Sequence, residues 1–485
     1  MMTLKNINII QAVNTISINY YLLAGVSLLI ILNLLSLSLN SLAIFLAIIE
    51  NVIVYYFLLK GIFKKALMCM CLFYTTNYGN PVFFGTAYGL DTIYCIENLP
   101  IFHGYLMLFS FFIPFFNLFL SKRGINFNSS NTLIPFSYYT FATGILMGIF
   151  TILVNGFQYR AIISDLNQCV IPVMTILVFI KVLKDYPLFA SKYLSLVFHI
   201  ILSYIIIAWV TSTLGIYANF VQEREKVLML PMPSFYMTSI ILFLGLMKTT
   251  REKIVVIIAF LSAVYFQLFF DSCMNGKSWF VFVTTILVGV YYLAKNIKHK
   301  FFSYGAVVAI LIAFLIYVVP KVNSFISDTE NTKLLEFISL FEAADSGDLN
   351  EMDQSTQFRF IEFINVSEQY IEQPIFALTG RGYGGSIHSN GYFWHRSESG
   401  FTMDQYDSDK FYKLHESVNA IFLKFGAIGL LFFLIILFKL IKGIKFSPWS
   451  YIGFIWLLFF WGYQNSLLFI GVPAMVIGVQ SVSKK

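Results

Sequence analysis

The chain has 485 residues, of which 58% are hydrophobic, 18% are aromatic and only 12% are charged. A soluble domain carries about 25% charged residues, so this composition excludes an ordinary soluble enzyme, a disordered chain and a small secreted scaffold. The remaining class is an all-α polytopic membrane protein, in which the net charge of +7 reports orientation and not binding of nucleic acid.

Apolar runs recur along the whole chain. The first long run, residues 20–38, is interpreted as a membrane span and not a signal peptide, because another apolar run follows it at once. A spanning helix needs about 20 mostly apolar residues. This criterion predicts about fourteen spans, at residues 20–38, 41–59, 63–77, 101–120, 134–154, 167–183, 192–214, 234–248, 253–270, 277–294, 301–319, 416–441, 448–464 and 466–481.

Alternate loops between these spans carry the positive charge. One side of the predicted membrane protein holds 20 of the 32 Lys and Arg residues, and its loops contain only Asp185 and Glu252 as acids. Loops rich in Lys and Arg stay in the cytoplasm. The pattern therefore predicts that both termini are cytoplasmic and that the remaining loops face the outside.

The longest outer loop, residues 320–415, contains 15 acids and 7 bases, a net charge of −8. It is too long to be a simple connector, and the spacing of its apolar residues predicts amphipathic helices at 332–342 and 355–371. A glycine-rich segment follows at 379–386. The predicted organisation is spans 1–11 in residues 1–319, the large loop in 320–415 and the last three spans in 416–485.

Charged residues are scarce inside the predicted spans, with Glu50 the clearest example. Placing a charge at mid-membrane costs about 2.5–3.5 kcal/mol. Ion pumps and coupled transporters accept this cost at several positions, so the scarcity counts against a transporter without excluding one. Glu50 itself is interpreted as a protonated or paired side chain within the helix bundle.

Four cations on the outer side run against the orientation bias and suggest an anionic ligand. A guanidinium donates two parallel hydrogen bonds to a phosphate, while an ammonium acts as a point charge. Each cation also has an ordinary interpretation: a solvated loop arginine, an interfacial lysine, an arginine aimed at lipid phosphate, or part of a plain turn. The four cations are Arg160, Lys277, Arg359 and Arg381. Arg381 lies within a run of glycines whose amides can approach an anion.

His415 stands immediately before a predicted span, at its outer end. A histidine there can be neutral near pH 7 and can accept a proton from a hydroxyl. Asn419, four residues later, shares its helix face, whereas the adjacent Glu416 does not. A capping or interfacial histidine is the competing interpretation, and His388 and His395 are rival bases in the same loop.

The order of these motifs resembles the bacterial O-antigen polymerase and O-antigen ligase superfamily, the Wzy and WaaL proteins. Asn275–Ser278 resembles the start of the family's Ser-Arg-Gly-type span, with Lys277 where the family often has Arg. The helix with Arg359 precedes Gly380–Gly382, and His415 heads a helix with Gly426 and Gly429. Glu416 stands where the family often has Asn. The resemblance covers about residues 271–442.

This resemblance implies the all-helical glycosyltransferase fold called GT-C and a donor glycan on undecaprenyl diphosphate. The expected reaction needs no cofactor or metal and takes place at the periplasmic face of the bacterial inner membrane. A chain-length regulator and a flippase are the implied protein partners. The implied sites are catalytic His415 and Glu416, diphosphate-binding Arg160, Lys277, Arg359 and Arg381, and substrate-binding Gly380, Gly382, Tyr383 and Asn419.

Three functions remain open from the sequence. The preferred one is a polymerase that joins oligosaccharide repeat units, and the nearest alternative is a ligase that transfers finished glycan to lipid A-core. A flippase or transporter is the alternative from a different class. The acidic run Asp404, Asp407 and Asp409 resembles a divalent-cation site, but we interpret it as solvated or structural acids.

Overall fold

The protein is mainly helical in the part that the computed structural model describes, which comprises residues 16–36, 40–76, 132–213, 238–269, 281, 284–289, 291–292, 354–390, 401, 403–461 and 468–483. Within these ranges β-structure is limited to isolated bridges such as that between Ile387 and Phe411. The all-α class predicted from composition is therefore confirmed. The helices are α1 Tyr20–Ser36, α2 Asn40–Leu59, α3 Phe63–Thr76, α4 Leu133–Asn155, α5 Tyr159–Asp185, α6 Phe189–Thr213, α7 Thr250–Phe269, α8 Gln354–Glu372, α9 Pro374–Thr379, α10 Met403–Ser408, α11 Ser417–Ile444, α12 Pro448–Phe459 and α13 Leu468–Ser483.

Four of the described helices, α4, α5, α6 and α11, are long and apolar enough to cross a membrane. Shorter apolar helices occur at Tyr20–Asn33, Ile48–Leu59, Pro448–Phe459 and Leu468–Val482. These lengths and compositions support a membrane protein, as the sequence predicts. The full count of about fourteen spans stays a prediction, because residues 101–120, 301–319 and half of 277–294 lie outside the described residues.

One predicted span, 234–248, is not an α-helix in its described part. Within 234–248, residues Ser239–Leu246 form a 3₁₀ helix that ends where Met247 becomes extended. The next helix starts with a capping box, in which Thr249 N–H donates to the Glu252 carboxylate and Glu252 N–H donates to Thr249 Oγ1. This exchange satisfies the first amides of α7 and fixes its beginning, so the two helices are separate elements.

The described residues form two compact units. The first contains those up to Tyr204 and those from Ile361 onward, and the second contains those from Ile205 to Phe360. In the second unit, the rings of Trp209 and Tyr265 stack with centroids 5.4 Å apart. All the contacts that form the candidate site below lie in the first unit.

Close packing in the first unit depends on glycines and on one proline. A Cβ on Gly471 would lie 1.8 Å from the indole of Trp456, so α12 and α13 approach closely only because this position has no side chain. Pro473 lacks the N–H that would bond to the carbonyl of Phe469. That carbonyl instead accepts a hydrogen bond from the hydroxyl of Tyr193, 2.7 Å away, which joins α13 to α6.

Candidate functional site

Helix α11 is broken at Gly426, in its N-terminal half, which is predicted to lie at the outer side of the membrane. The candidate site lies around this break. Gly426 has φ 62° and ψ −163°, a conformation that residues with side chains rarely adopt. The break leaves backbone carbonyls without their helical partners, and buried carbonyls need hydrogen bonds. The hydroxyl of Tyr370 donates to Leu423 O at 2.7 Å and that of Tyr139 donates to Phe425 O at 2.9 Å.

The glycine-rich segment supplies the remaining donors by running between α4 and the broken part of α11. Arg381 N–H donates to Leu423 O at 2.9 Å, and Gly382 N–H donates to Lys424 O at 3.0 Å. A Cβ on Gly382 would lie 2.2 Å from the backbone nitrogen of Gly148 in α4. We call residues 380–386 the glycine-rich loop, and its glycines permit this close backbone contact.

Tyr383 fixes the glycine-rich loop to α4. Its backbone N–H donates to Gly144 O at 2.9 Å, and its hydroxyl donates to Thr140 O at 3.0 Å. Burial raises the pKa of this hydroxyl well above its ordinary value, so it remains a donor. The side chain that was predicted to bind substrate is thus buried in protein contacts.

A buried ion pair joins α5 to α11 beneath the glycine-rich loop. The ammonium of Lys424 lies 2.6 Å from Asp165 Oδ2, and both side chains are almost fully shielded from solvent. The same ammonium donates to Gly385 O at 2.6 Å, and Gly384 N–H donates to Asp165 Oδ2 at 2.6 Å. The glycine-rich loop therefore does bind an anion, and that anion is the protein's own Asp165 carboxylate.

Arg381 is also buried, with 4% of its surface exposed. Its Nη1 donates to Ser386 O at 2.5 Å, and its Nη2 donates to Gln369 Oε1 at 3.2 Å. Burial lowers the pKa of this guanidinium because it disfavours the charged form. In this structure Arg381 ties the glycine-rich loop to α8.

Glu362 and His415 form the contact most suited to catalysis. The imidazole Nδ1 of His415 contacts Glu362 Oε1, and the backbone N–H of His415 donates to Glu362 Oε2 at 3.1 Å. Asn419 Nδ2 donates to the same Oε2 at 3.0 Å. The Glu362 side chain is 1% exposed and that of His415 is 22% exposed. A buried carboxylate on Nδ1 orients the ring and stabilises the imidazolium, so that Nε2 can act as a base.

The polar face of α8 continues from Glu362 through Asn365 to Gln369. Asn365 Nδ2 donates to His388 O at 2.7 Å, and Gln369 Nε2 donates to Asn365 Oδ1 at 2.6 Å. These three residues are spaced i, i+3 and i+7, which places them on one helix face. That spacing of polar residues is the signal in the sequence that would have identified Glu362.

The structure brings together only some of the predicted site residues. His415 and Asn419 share Glu362, while Gly380, Gly382, Tyr383 and Arg381 belong to the glycine-rich loop. Glu416 occupies the N-cap position of α11 with an extended backbone. Arg160 is exposed near the start of α5, Arg359 is half-buried one turn before Glu362 in α8, and Lys277 lies outside the described residues.

Two features were not foreseen. Glu362 had no predicted role, and Asp165 and Lys424 add a charged pair to helices that have the composition of spans. Asp165 lay just outside the predicted span 167–183, because α5 begins earlier, at Tyr159. The described residues contain no cluster of three or more His, Cys, Asp or Glu that fits a metal ion. Asp409 contacts His388 and accepts a hydrogen bond from Ser389 N–H at 3.0 Å.

No family model, curated protein or solved structure matches this sequence. The resemblance to the O-antigen polymerase and ligase superfamily rests on the sequence motifs given above.

Proposed function

We propose that the protein is a metal-independent membrane glycosyltransferase that joins undecaprenyl-diphosphate-linked oligosaccharide repeat units at the periplasmic face of the bacterial inner membrane. The observation that carries the proposal is the contact between His415 and the buried carboxylate of Glu362. This contact orients an imidazole at the end of a helix with the composition of a span, which supports the proposed role of His415 as the base. The motif order in the sequence supports the choice of substrate.

In the proposed reaction, Nε2 of His415 accepts the proton of a sugar hydroxyl on the acceptor chain. The hydroxyl oxygen bonds to the anomeric carbon of the donor, and the bond from that carbon to the diphosphate breaks. The carboxylate of Glu362 stabilises the imidazolium that forms. Asn419 Nδ2 holds that carboxylate in place from the other side.

The leaving diphosphate gains negative charge as the glycosidic bond breaks, so fixed cations stabilise the transition state more than the ground state. Arg160, Arg359 and Lys277 remain the proposed contacts for it. Arg381 is a weaker choice than the sequence suggested, because its guanidinium already binds Ser386 O and Gln369 within the protein.

Two other functions use parts of the same site. A ligase would carry out the same chemistry with lipid A-core as the acceptor. A transporter is favoured by one observation, the buried Asp165–Lys424 pair, because charged residues inside membrane helices are a feature of ion and substrate pathways.

Deletion of the gene separates these three functions. Loss of a polymerase should leave lipid A-core capped by a single repeat unit, because ligation continues. Loss of a ligase should leave bare core with polymer on the lipid carrier, and loss of a flippase should leave bare core with single lipid-linked units. Bare core would therefore contradict the polymerase, and the material on the carrier would identify the alternative.

The catalytic assignment is tested with a matched pair of histidine variants in purified protein supplied with lipid-linked repeats. His415→Ala should abolish polymerisation, whereas His388→Ala should retain it. His388 is a suitable control because it also contacts a carboxylate, that of Asp409, but both side chains are half-exposed. A normal product ladder from folded His415→Ala protein would refute the assignment.

A further inference from the structure

We propose that Asp165 and Lys424 are positioning residues: their ion pair anchors the glycine-rich loop and, through Arg381 and α8, holds Glu362 against His415. Asp165 is distant in sequence from both predicted catalytic residues, His415 and Glu416, whereas Lys424 follows them within the same stretch of chain. The inference deepens the proposed function, on which its activity measurement rests.

The first step is the attachment of the loop to the ion pair. Asp165 accepts from Gly384 N–H, and Lys424 donates to Gly385 O, so each member of the pair holds one of two consecutive loop residues. Both side chains are buried, where electrostatic attraction is stronger than in water and an unpaired charge is costly. The two loop contacts are lost or distorted if either charge is removed.

The second step leads from the loop to α8. Arg381 in the loop donates from Nη2 to Gln369 Oε1, and its backbone N–H donates to Leu423 O beside Lys424. Gln369 in turn donates to Asn365 and to His388 O at 2.9 Å. The position of the loop therefore constrains α8 through a continuous set of buried hydrogen bonds.

The third step leads from α8 to the contact between Glu362 and His415. Glu362 lies on the same face of α8 as Asn365 and Gln369, and it receives hydrogen bonds from His415 and Asn419. His415 stands just before α11, and Asn419 and Lys424 both lie within that helix. The Glu362–His415 contact is thus held from α8 on one side and from the start of α11 on the other, and the ion pair connects both to the loop.

Hydrogen–deuterium exchange tests this coupling without any activity assay. The amides of Arg381, Gly382, Tyr383, Gly384 and His415 are all donors in the contacts described above. In Asp165→Asn and in Lys424→Gln, we expect exchange in peptides 380–388 and 411–419 to accelerate by about tenfold or more. Peptides from α12 and α13 should exchange as in the wild type. The matched control is Asp185→Asn, which breaks the Lys181–Asp185 pair at the other, more exposed end of α5 and should change neither peptide.

The double variant Asp165→Asn/Lys424→Gln removes both charges but keeps an acceptor for Gly384 and a donor for Gly385, so its exchange should return towards the wild type. Should the single variants fail to fold, the apolar double variant Asp165→Leu/Lys424→Met tests whether the loop needs the ion pair. It contains no unpaired charge and no loop contacts, and we expect fast exchange in both peptides.

Three outcomes would overturn the inference. Exchange that accelerates in 380–388 but not in 411–419 would limit the pair to the loop, and equal acceleration in α12 and α13 would mean general destabilisation. Wild-type exchange in the apolar double variant would show that the loop needs no anchor.

Turnover is the second readout, because a 1 Å displacement of a catalytic group costs about 10²-fold in rate. Folded Asp165→Asn protein should lose kcat by about that factor, with little change in the KM for donor. If the wild type fails to polymerise, the proposed function fails, while the exchange result still judges the coupling on its own.

Discussion

The carboxylate of Glu362 receives hydrogen bonds from both the backbone and the side chain of His415, a residue 53 positions later in the chain. Such a two-point contact fixes the rotation of the imidazole as well as its position. It also satisfies a buried carboxylate, which is costly to leave without partners. The relationship makes Glu362 the carboxylate that we expect to assist the base.

Glu362→Gln should therefore lower kcat by roughly 10²–10⁴-fold, because the amide cannot stabilise an imidazolium as a carboxylate does. Glu416→Gln is the matched control at the neighbouring N-cap position and should lose much less. The rates are compared in purified protein with lipid-linked repeats. A larger loss in Glu416→Gln than in Glu362→Gln would return the catalytic role to Glu416.

Arg381→Met should reduce stability more than substrate affinity. The change removes the donors to Ser386 O and Gln369 Oε1, and unsatisfied buried acceptors cost about 1–3 kcal/mol each. We expect a lower thermal unfolding midpoint in detergent and an unchanged KM in the folded fraction. Arg160→Met, at an exposed arginine, is the control and should leave the midpoint unchanged. A raised KM with unaltered stability in Arg381→Met would support a direct diphosphate contact.

Alanine variants at two glycines of α4 should respond differently to a second substitution at Tyr383. A Cβ on Gly144 would lie 2.4 Å from the ring of Tyr383, and a Cβ on Gly148 would lie 2.6 Å from the backbone oxygen of Tyr383. Both variants should be destabilised by about 1–3 kcal/mol through overpacking. Adding Tyr383→Leu should offset part of the loss only for Gly144→Ala, where the clash is with the ring. Equal effects of Tyr383→Leu in both backgrounds, measured by a double-mutant cycle, would contradict this packing.

The contribution of Lys413 to stability should rise with pH in the alkaline range. Burial lowers the pKa of this ammonium to about 8, whereas the unfolded chain keeps the proton up to about pH 10.4. Between these values the unfolded state binds more protons, so a higher pH favours the folded state. The unfolding midpoint of the wild type relative to Lys413→Gln should increase from about pH 7.5 to about pH 9.5. A difference that is constant with pH would contradict the lowered pKa of Lys413.

Polymerisation should continue at an unchanged rate in excess EDTA. The cations proposed for the leaving diphosphate make a metal unnecessary, and Asp409 already binds Ser389 N–H and His388. The measurement is product formation after chelation, followed by addition of Mg²⁺ or Mn²⁺. Activity that disappears with the chelator and returns with the metal would direct attention to Asp404, Asp407 and Asp409.

The sequence by itself determined the all-α membrane class and the approximate limits of most described helices. The helix predicted at 355–371 is α8, Gln354–Glu372, and the span predicted at 416–441 is α11. These are local properties, because a long apolar run or an apolar stripe at helical spacing requires no knowledge of distant residues. The prediction that His415 is the base also comes from a local property, its position before an apolar run.

Only the tertiary structure decided which side chains meet. Asp165 and Lys424 are 259 residues apart in the chain. Glu362 and His415 are 53 residues apart, and the intervening chain contains the glycine-rich segment and α10. Such pairings depend on the break of α11 at Gly426 and on the passage of the loop beside α4, neither of which follows from local spacing. A glycine-rich run indicates that backbone can approach an anion, but the fold determines which one, and here the burial of Asp165 beneath the loop places its carboxylate there.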